Sequence, residues 1–512
     1  MNIWLLLAIT TLLRLCLASL FPITADESYY WLWSKHLSLS YVDHPPMVAV
    51  VNWLFTHGTE NLIMLRLGTA IISFLVSLLI YFLAKEVFNE KVAFWSVVLF
   101  QILPHFVVIW LTQFVELPLA LFWTLSLLIL AKIFNFSHPS SPNPQIRTPN
   151  LLWLALGLTI GLGSLSKYTM FLFWPCLGLF FILSPENRFW LKRKELYLCL
   201  LLSLCFFSPV LIWNNNHAWA SFLFHGSKAS GDAWGTNFLP FVGDQLVHFT
   251  PFLIFTLFAV AKSFFPTNKL MARQALRQAQ GNIERSRDAR HPSHPELRRG
   301  TNQQTNQLPL LLASFSFPIL CLFLFLSLKV KVWAHWPEIG YIAAIPLTIN
   351  YLIEKNKSLN KFITWIAGFT GLVLIILFWV TPAILLHQKD YLANYQLTNS
   401  IPKEYKLFAK TNVSSSLLEF YTKRPVYMAT GFLKENHLWG EKQYELWGIP
   451  NLVKGETVIY YGDDTPFFQE KAKTNFRSIT ELPVKLYLIE DYITNNYKMF
   501  KLEGYKRSAS HP

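Results

Sequence analysis

The sequence predicts a mainly α-helical, polytopic membrane protein with a small C-terminal α/β domain, on three observations. Of 512 residues, 53% are apolar and 16% aromatic while only 14% are charged, a balance that a soluble surface cannot cover. The apolar residues come in long runs, and their loops carry Lys and Arg on alternate connections. After about residue 386 the composition turns soluble, with short β-favouring runs between polar turns.

The apolar runs lie at Ile3–Phe21, Leu62–Val87, Val92–Leu111, Leu117–Ile133, Leu151–Leu165, Met170–Leu183, Leu196–Trp213, Phe249–Phe265, Leu308–Leu328, Ile339–Ile353 and Phe362–Leu386. They predict about eleven transmembrane helices, although the fifth, sixth and tenth fall short of the roughly 20 residues that cross a bilayer upright. The first run is expected to be retained rather than cleaved: it has no basic segment in front of it and holds Arg14 within it. Residues 1–386 then form the membrane module, with a first polar loop at 22–61, and residues 387–512 a soluble domain containing ETVIYYG and PVKLYLIED. The stretch 269–307, rich in Arg, Gln, Ser, His and Pro, reads as a disordered insertion between two spans.

Alternate connections hold about twenty Lys and Arg against about five on the other set, which places the N-terminus inside and the soluble domain outside. The net charge of +14 is therefore mostly topological. It calls for no nucleic-acid partner, although a basic inner face attracts anionic membrane lipid. The five cysteines all lie in apolar runs, so no disulfide framework is expected. The sequence holds no CxxC, no HExxH and no Gly-rich phosphate loop, which leaves a soluble nucleotide substrate unsupported.

With that orientation, the unusual polar groups fall on one face. They are the loop ADESYYWLWSKHLSLSYVDHPP from Ala25 to Pro46, the turn Gln113–Glu116, the segment around Lys167, WNNNHAW from Trp213 to Trp219, and KVKVWAHW from Lys329 to Trp336. Charge near a bilayer costs at least a few kcal/mol unless paired or wet, and so marks a pathway or a site. An interfacial aromatic belt with acids facing water is the bland alternative. A transporter or flippase is the alternative function class, but such proteins show repeated halves meeting at the midplane, and the acidic-loop pattern has no second copy.

In order along the chain, DESYYWLWSKHL with YVDHPP, LPLALFW, GLGSLSKYTMFLFWP, WNNNHAWASFLFH and KVWAHWPEIGYIAA resemble the membrane-embedded GT-C glycosyltransferases. More narrowly, they resemble the bacterial branch related to protein O-mannosyltransferases, the lipid A aminoarabinose transferase and the lipopolysaccharide galacturonic acid transferases. The resemblance spans Asp26 to Ala344 and omits the insertion and the C-terminal domain. It implies a polyprenyl-phosphate sugar donor, a lipid or protein hydroxyl acceptor, and a multi-pass location in a bacterial inner membrane with the site and soluble domain facing the periplasm.

Carried onto these positions, the resemblance makes Asp26 the general base and Glu27 its companion. Lys167, Lys331, His335 and Arg66 are the candidates to neutralise the donor phosphate, because an unpaired cation near a bilayer is costly; each is also able to snorkel to headgroups. Tyr29, Tyr30, Asp43, His44, Glu116, Trp213, His217 and Trp336 are expected to contact substrate. Glu116 stands where many relatives carry a shorter Asp. No cofactor is expected, and a divalent metal at Glu27 or Glu116 is left open because no ligand spacing encodes it.

Overall fold

The computed structural model describes residues 2–136, 150–228, 234–249, 252–264, 307–355, 359–386, 401–433, 441–482 and 497–506. The insertion at 269–307 and the run PVKLYLIED therefore lie almost wholly outside the described residues. Chain order begins with helices α1 (Ile3–Ser19), α2 (Ala25–Lys35), α3 (Met47–Thr56), α4 (Leu62–Val87), α5 (Glu90–Ile102), α6 (Pro104–Val108) and α7 (Glu116–Phe136). It continues with α8 (Asn150–Ser164), α9 (Phe173–Leu183), α10 (Lys194–Asn216), α11 (Ala220–Lys228), α12 (Phe238–Phe249) and α13 (Phe252–Phe264). The membrane module closes with α14 (Gln307–Ser314), α15 (Phe317–Leu326), α16 (Glu338–Glu354) and α17 (Leu359–Leu386).

Among the described residues, five helices are long and apolar enough to cross a bilayer, or six if one bent pair counts as a span. That is fewer than the eleven apolar runs suggest. Several runs fold as helices of 10–17 residues, and one is broken. Within Val92–Leu111, Pro104 has no N–H to give the helix and disfavours helical geometry at Leu103, which is extended at φ −65°, ψ 129°. The axis bends there by 64°. Arg14 ties α1 to this break, bonding the carbonyl of Phe106 at 2.5 Å and Gln101 Oε1 at 3.0 Å. The charge that distinguished the first run from a signal peptide is thus a buried, satisfied tether.

Helices α8 and α10 run in close contact because glycines face the partner backbone. A Cβ on Gly157 would lie 2.7 Å from the Cys199 carbonyl oxygen, and one on Gly161 2.5 Å from Phe206 Cβ. Small residues four apart allow this approach, the usual device of helix pairs in lipid. It fixes the end of α8, from which Lys167 follows.

The first polar loop is a packed structure rather than an open connection. Thr24 caps α2: its hydroxyl accepts the Glu27 amide at 3.4 Å while the Glu27 carboxylate accepts the Thr24 amide at 3.2 Å. Downstream, α2 buries Tyr29, Tyr30, Trp31, Leu32 and Trp33. Much of what they pack against comes from the C-terminal residues, where β1 (Lys406–Ala409), α18 (Asn412–Thr422), β2 (Val426–Met428), α19 (Glu441–Trp447), β3 (Val458–Asp463), α20 (Pro466–Asn475), β4 (Ser478–Glu481) and β5 (Tyr497–Glu503) form a small mixed domain. Its sheet order is β2-β1-β3-β5-β4, parallel among the first three strands and antiparallel at β5 and β4. The expected strand in ETVIYYG is β3.

The domain docks on α2 through α18 and α19. Trp31 meets Phe420 edge-on at 5.0 Å, Ser28 bonds Ser416 at 2.8 Å, and Lys35 pairs with Glu419 at 2.8 Å. Gln443 accepts the Val42 amide at 2.9 Å, and Tyr444 stacks on Tyr29. One hydrophobic cluster runs through both, joining Tyr29 and Trp33 to Leu417, Tyr444 and Tyr461.

Candidate active site

Glu116 begins α7 and is fully enclosed. Its Oε1 forms an ion pair with Lys167 and lies 3.3 Å from His335 Nε2. Lys167, buried in turn, stands 5.6 Å from the Trp336 ring centre, within cation–π range. Four positions from three separate sequence motifs therefore meet at one point. The second oxygen of Glu116 is buried without a hydrogen-bond partner, so the carboxylate keeps unused acceptor capacity toward the site. Burial pushes the His335 imidazole down to about 4, with Glu116 opposing the shift. At neutral pH His335 is thus a neutral ring.

Tyr30 joins this cluster to α2. Its phenol is buried, and burial first, then the negative charges of Asp26, Glu116 and Asp43, hold it well above its ordinary pKa. Asp26, in the first turn of α2 and partly exposed, and Glu116 therefore both act on one hydroxyl. Asp43 takes a hydrogen bond from the Tyr29 hydroxyl at 2.9 Å, and its backbone carbonyl lies 2.8 Å from His225 Nε2. His44 packs by its ring near Tyr30 and His225.

Other expected site residues have different partners. Glu27 and Arg66 form a two-pronged buried pair, Nε to Oε1 at 3.1 Å and the terminal nitrogen to Oε2 at 2.9 Å. Arg66 also donates to the carbonyls of Ala18, Phe21 and Pro22. Every arm of the guanidinium is engaged, so a donor phosphate would have to displace Glu27. Neither residue is free for the role the sequence suggested: the pair clamps the entry of α2 to α4. Lys331 is exposed over the Trp333 ring at 4.1 Å and is not part of the Lys167 cluster. Trp213 stacks on His217 at 4.2 Å at the end of α10. That pair reaches the site only indirectly, through Asn214, Ser221 and Tyr168, the last packed against His225.

Sequence reasoning missed Tyr168 and His225, which lie inside quoted motifs but were read there as apolar context. It also missed Glu338, inside the quoted KVWAHWPEIGYIAA, and His105 and His248, whose meeting only the fold produces. No group of three or more His, Cys, Asp or Glu side chains among the described residues has the arrangement to hold a metal. Glu27 is taken by Arg66 and Glu116 by Lys167, so neither residue presents a ligand set.

Residues 43–213 match the family described as dolichyl-phosphate-mannose-protein mannosyltransferase. Through that segment, about a third of its length, the chain is similar to this family. The matched part runs from Asp43 to Trp213 and so includes Glu116 and Lys167. A lipid A galacturonosyltransferase, RgtD of Rhizobium johnstonii, is 26% identical over 194 residues, 38% of either chain; the chain thus spans well under half of that relative in the match. The fold is similar to that of ArnT from Cupriavidus metallidurans, solved bound to undecaprenyl phosphate and in the apo state, with a TM-score of 0.59, 14% identity and 97% of both chains covered. An oligosaccharyltransferase from Archaeoglobus fulgidus in the apo form shares the fold less closely, with a TM-score of 0.50 and 13% identity over 91% of this chain and 70% of that one. The likeness to ArnT extends over the C-terminal domain as well as the helices.

Proposed function

We propose that this chain transfers a sugar from a polyprenyl monophosphate to a hydroxyl of a lipid A-type glycolipid or a protein, with inversion at the anomeric carbon. The single observation that carries the reading is the buried Lys167 held by Glu116 beside His335 and Trp336. The family match and the galacturonosyltransferase relative support the transfer chemistry, and the ArnT likeness, with undecaprenyl phosphate in one of those structures, supports a lipid-phosphate donor.

The donor is an anionic phosphodiester. As the acceptor oxygen attacks the anomeric carbon, the bond from that carbon to the phosphate oxygen breaks and its electrons stay on phosphate. The acceptor proton passes to Asp26, while Glu27 is held by Arg66. Lys167 neutralises the departing phosphate where water is scarce and charge therefore counts most. Tyr30 and Trp336 offer flat faces to the sugar. The apolar runs support about eleven membrane crossings, short and broken helices included, and the Lys and Arg asymmetry supports a site and C-terminal domain facing the periplasm of a bacterial inner membrane.

Purified protein in proteoliposomes with a radiolabelled polyprenyl-phosphate sugar and a glycolipid acceptor tests this. Label recovered on the acceptor supports the transferase. Movement of the lipid across the bilayer with no transferred label would favour a flippase instead.

A further inference from the structure

Glu338 opens α16 fully buried, and its Oε2 lies 2.9 Å from His105 Nε2 and accepts Trp110 Nε1–H at 3.3 Å. Its Oε1 is buried with no hydrogen-bond partner. His105, also fully buried on the short helix after the Pro104 break, turns its other nitrogen to His248, Nδ1 to Nδ1 at 3.3 Å. His248 is half-buried on α12, and Asp244, one turn earlier, is exposed. A continuous hydrogen-bonded chain thus runs from an enclosed carboxyl to the protein surface. At its inner end the charges of Glu116 and Lys167 act on Glu338, and that of Glu116 on His105; at its outer end Asp244 faces His248.

Each contact in this chain holds one proton, because two facing imidazole nitrogens bond only if one donates and the other accepts. With both rings neutral, two arrangements satisfy that condition. In one, Glu338 is a carboxylate accepting from His105 Nε2–H, and His248 donates its Nδ1–H to His105. In the other, Glu338 is protonated and donates to His105 Nε2, and His105 donates its Nδ1–H to His248. They interconvert when His248 Nε2 takes a proton from water, its Nδ1 proton moves to His105 Nδ1, and the His105 Nε2 proton moves to Glu338 Oε2. Both rings end neutral, with one proton added to the carboxyl.

We propose that Glu338, His105 and His248 form a proton wire that loads and unloads Glu338 from the surface beside Asp244 and so adjusts the charge around the Glu116–Lys167 cluster. The purpose, though not the existence, of the wire rests on the transferase reading. Breaking the donor's glycosyl bond turns a singly charged phosphodiester into a monoester whose second ionisation lies at about 6. One proton delivered to Glu338 offsets the one unit of negative charge that this step adds near Lys167. Glu338 and His105 act on the reaction through that cluster and are positioning residues.

The wire is testable without turnover. In infrared spectra of the purified full-length protein across a pH titration, the carboxylic-acid carbonyl band that vanishes in Glu338→Gln belongs to Glu338. Its exchange on transfer to deuterium oxide should slow about tenfold or more in His105→Gln and in His248→Ala, and added imidazole should restore the rate in His248→Ala alone. Equal exchange rates in all these proteins, or no band lost in Glu338→Gln at any pH, would overturn the wire. In the transfer assay, His248→Ala should lower kcat about tenfold at unchanged donor KM, again with imidazole rescue. A normal kcat there would remove the wire's part in catalysis, whereas a wild-type protein that transfers nothing would remove the transferase reading and leave the exchange result standing.

Discussion

In the proposed reaction Asp26 takes the acceptor proton and Lys167 the phosphate charge. Asp26→Asn keeps the shape of the first turn of α2 but removes the base, so transfer should fall at least about a hundredfold with an unchanged melting temperature. Wild-type turnover in the purified variant would assign the base elsewhere. Lys167→Ala should raise donor KM and lower kcat while leaving the acceptor KM alone, which steady-state kinetics with each substrate varied would measure. The same change leaves Glu116 buried with no cation, and breaking a buried pair costs about 3–5 kcal/mol. Lys167→Arg is the control that keeps the charge. Asp26 and Lys167 stand out in the sequence because charge is rare in such a chain. Glu338 and His105 do not, since a lone acid and a lone histidine 233 positions apart carry no pattern until the fold pairs them.

At the scale of an element, α2 presents the site, and its own sequence sets most of its geometry. The Thr24 and Glu27 capping box starts it, and Arg66 on α4 anchors it through Glu27. Arg66→Met should therefore cost about 3–5 kcal/mol of stability by stranding a buried carboxylate. Whatever folded protein survives should keep the donor KM of the wild type. A selective rise in donor KM with normal thermal stability would instead restore Arg66 to the phosphate. Composition alone read this segment as a polar loop, because the aromatics of DESYYWLW face a partner more than 370 residues away in sequence, as Ser28 faces Ser416. The break at Pro104 was open to reading from proline's missing donor, yet the apolar run continues through it and hides the bend.

Across the whole molecule, the C-terminal domain is part of the support of the site rather than an appendage. Removing residues 401–512 exposes Tyr29, Trp31 and Trp33, each worth roughly 1.5–3 kcal/mol of burial, so α2 amides should lose protection in hydrogen exchange and transfer should fail. The milder Gln443→Leu, which leaves the Val42 amide without its acceptor, should lower kcat several-fold, by about 1 kcal/mol, and spare overall stability. Acid should loosen the protein for an identifiable reason. Burial holds His335 and His248 at about 4 in the folded state against about 6.5 when unfolded. The unfolded chain therefore binds more protons between those values, and stability should fall as pH drops from about 6.5 toward 4. Thermal melts against pH measure this, and His248→Gln should flatten part of the slope.

The sequence by itself determined the solvent in which this protein folds and which scarce charges stand out against it, because hydropathy and charge are sums over neighbouring residues. The tertiary structure alone decided which of those charges meet. It gave Lys167 to Glu116 and Arg66 to Glu27, left Lys331 at the surface, and joined Glu338 to His105. Such pairings depend on how helices cross and where one of them breaks, a property of packing that no local run of residues encodes.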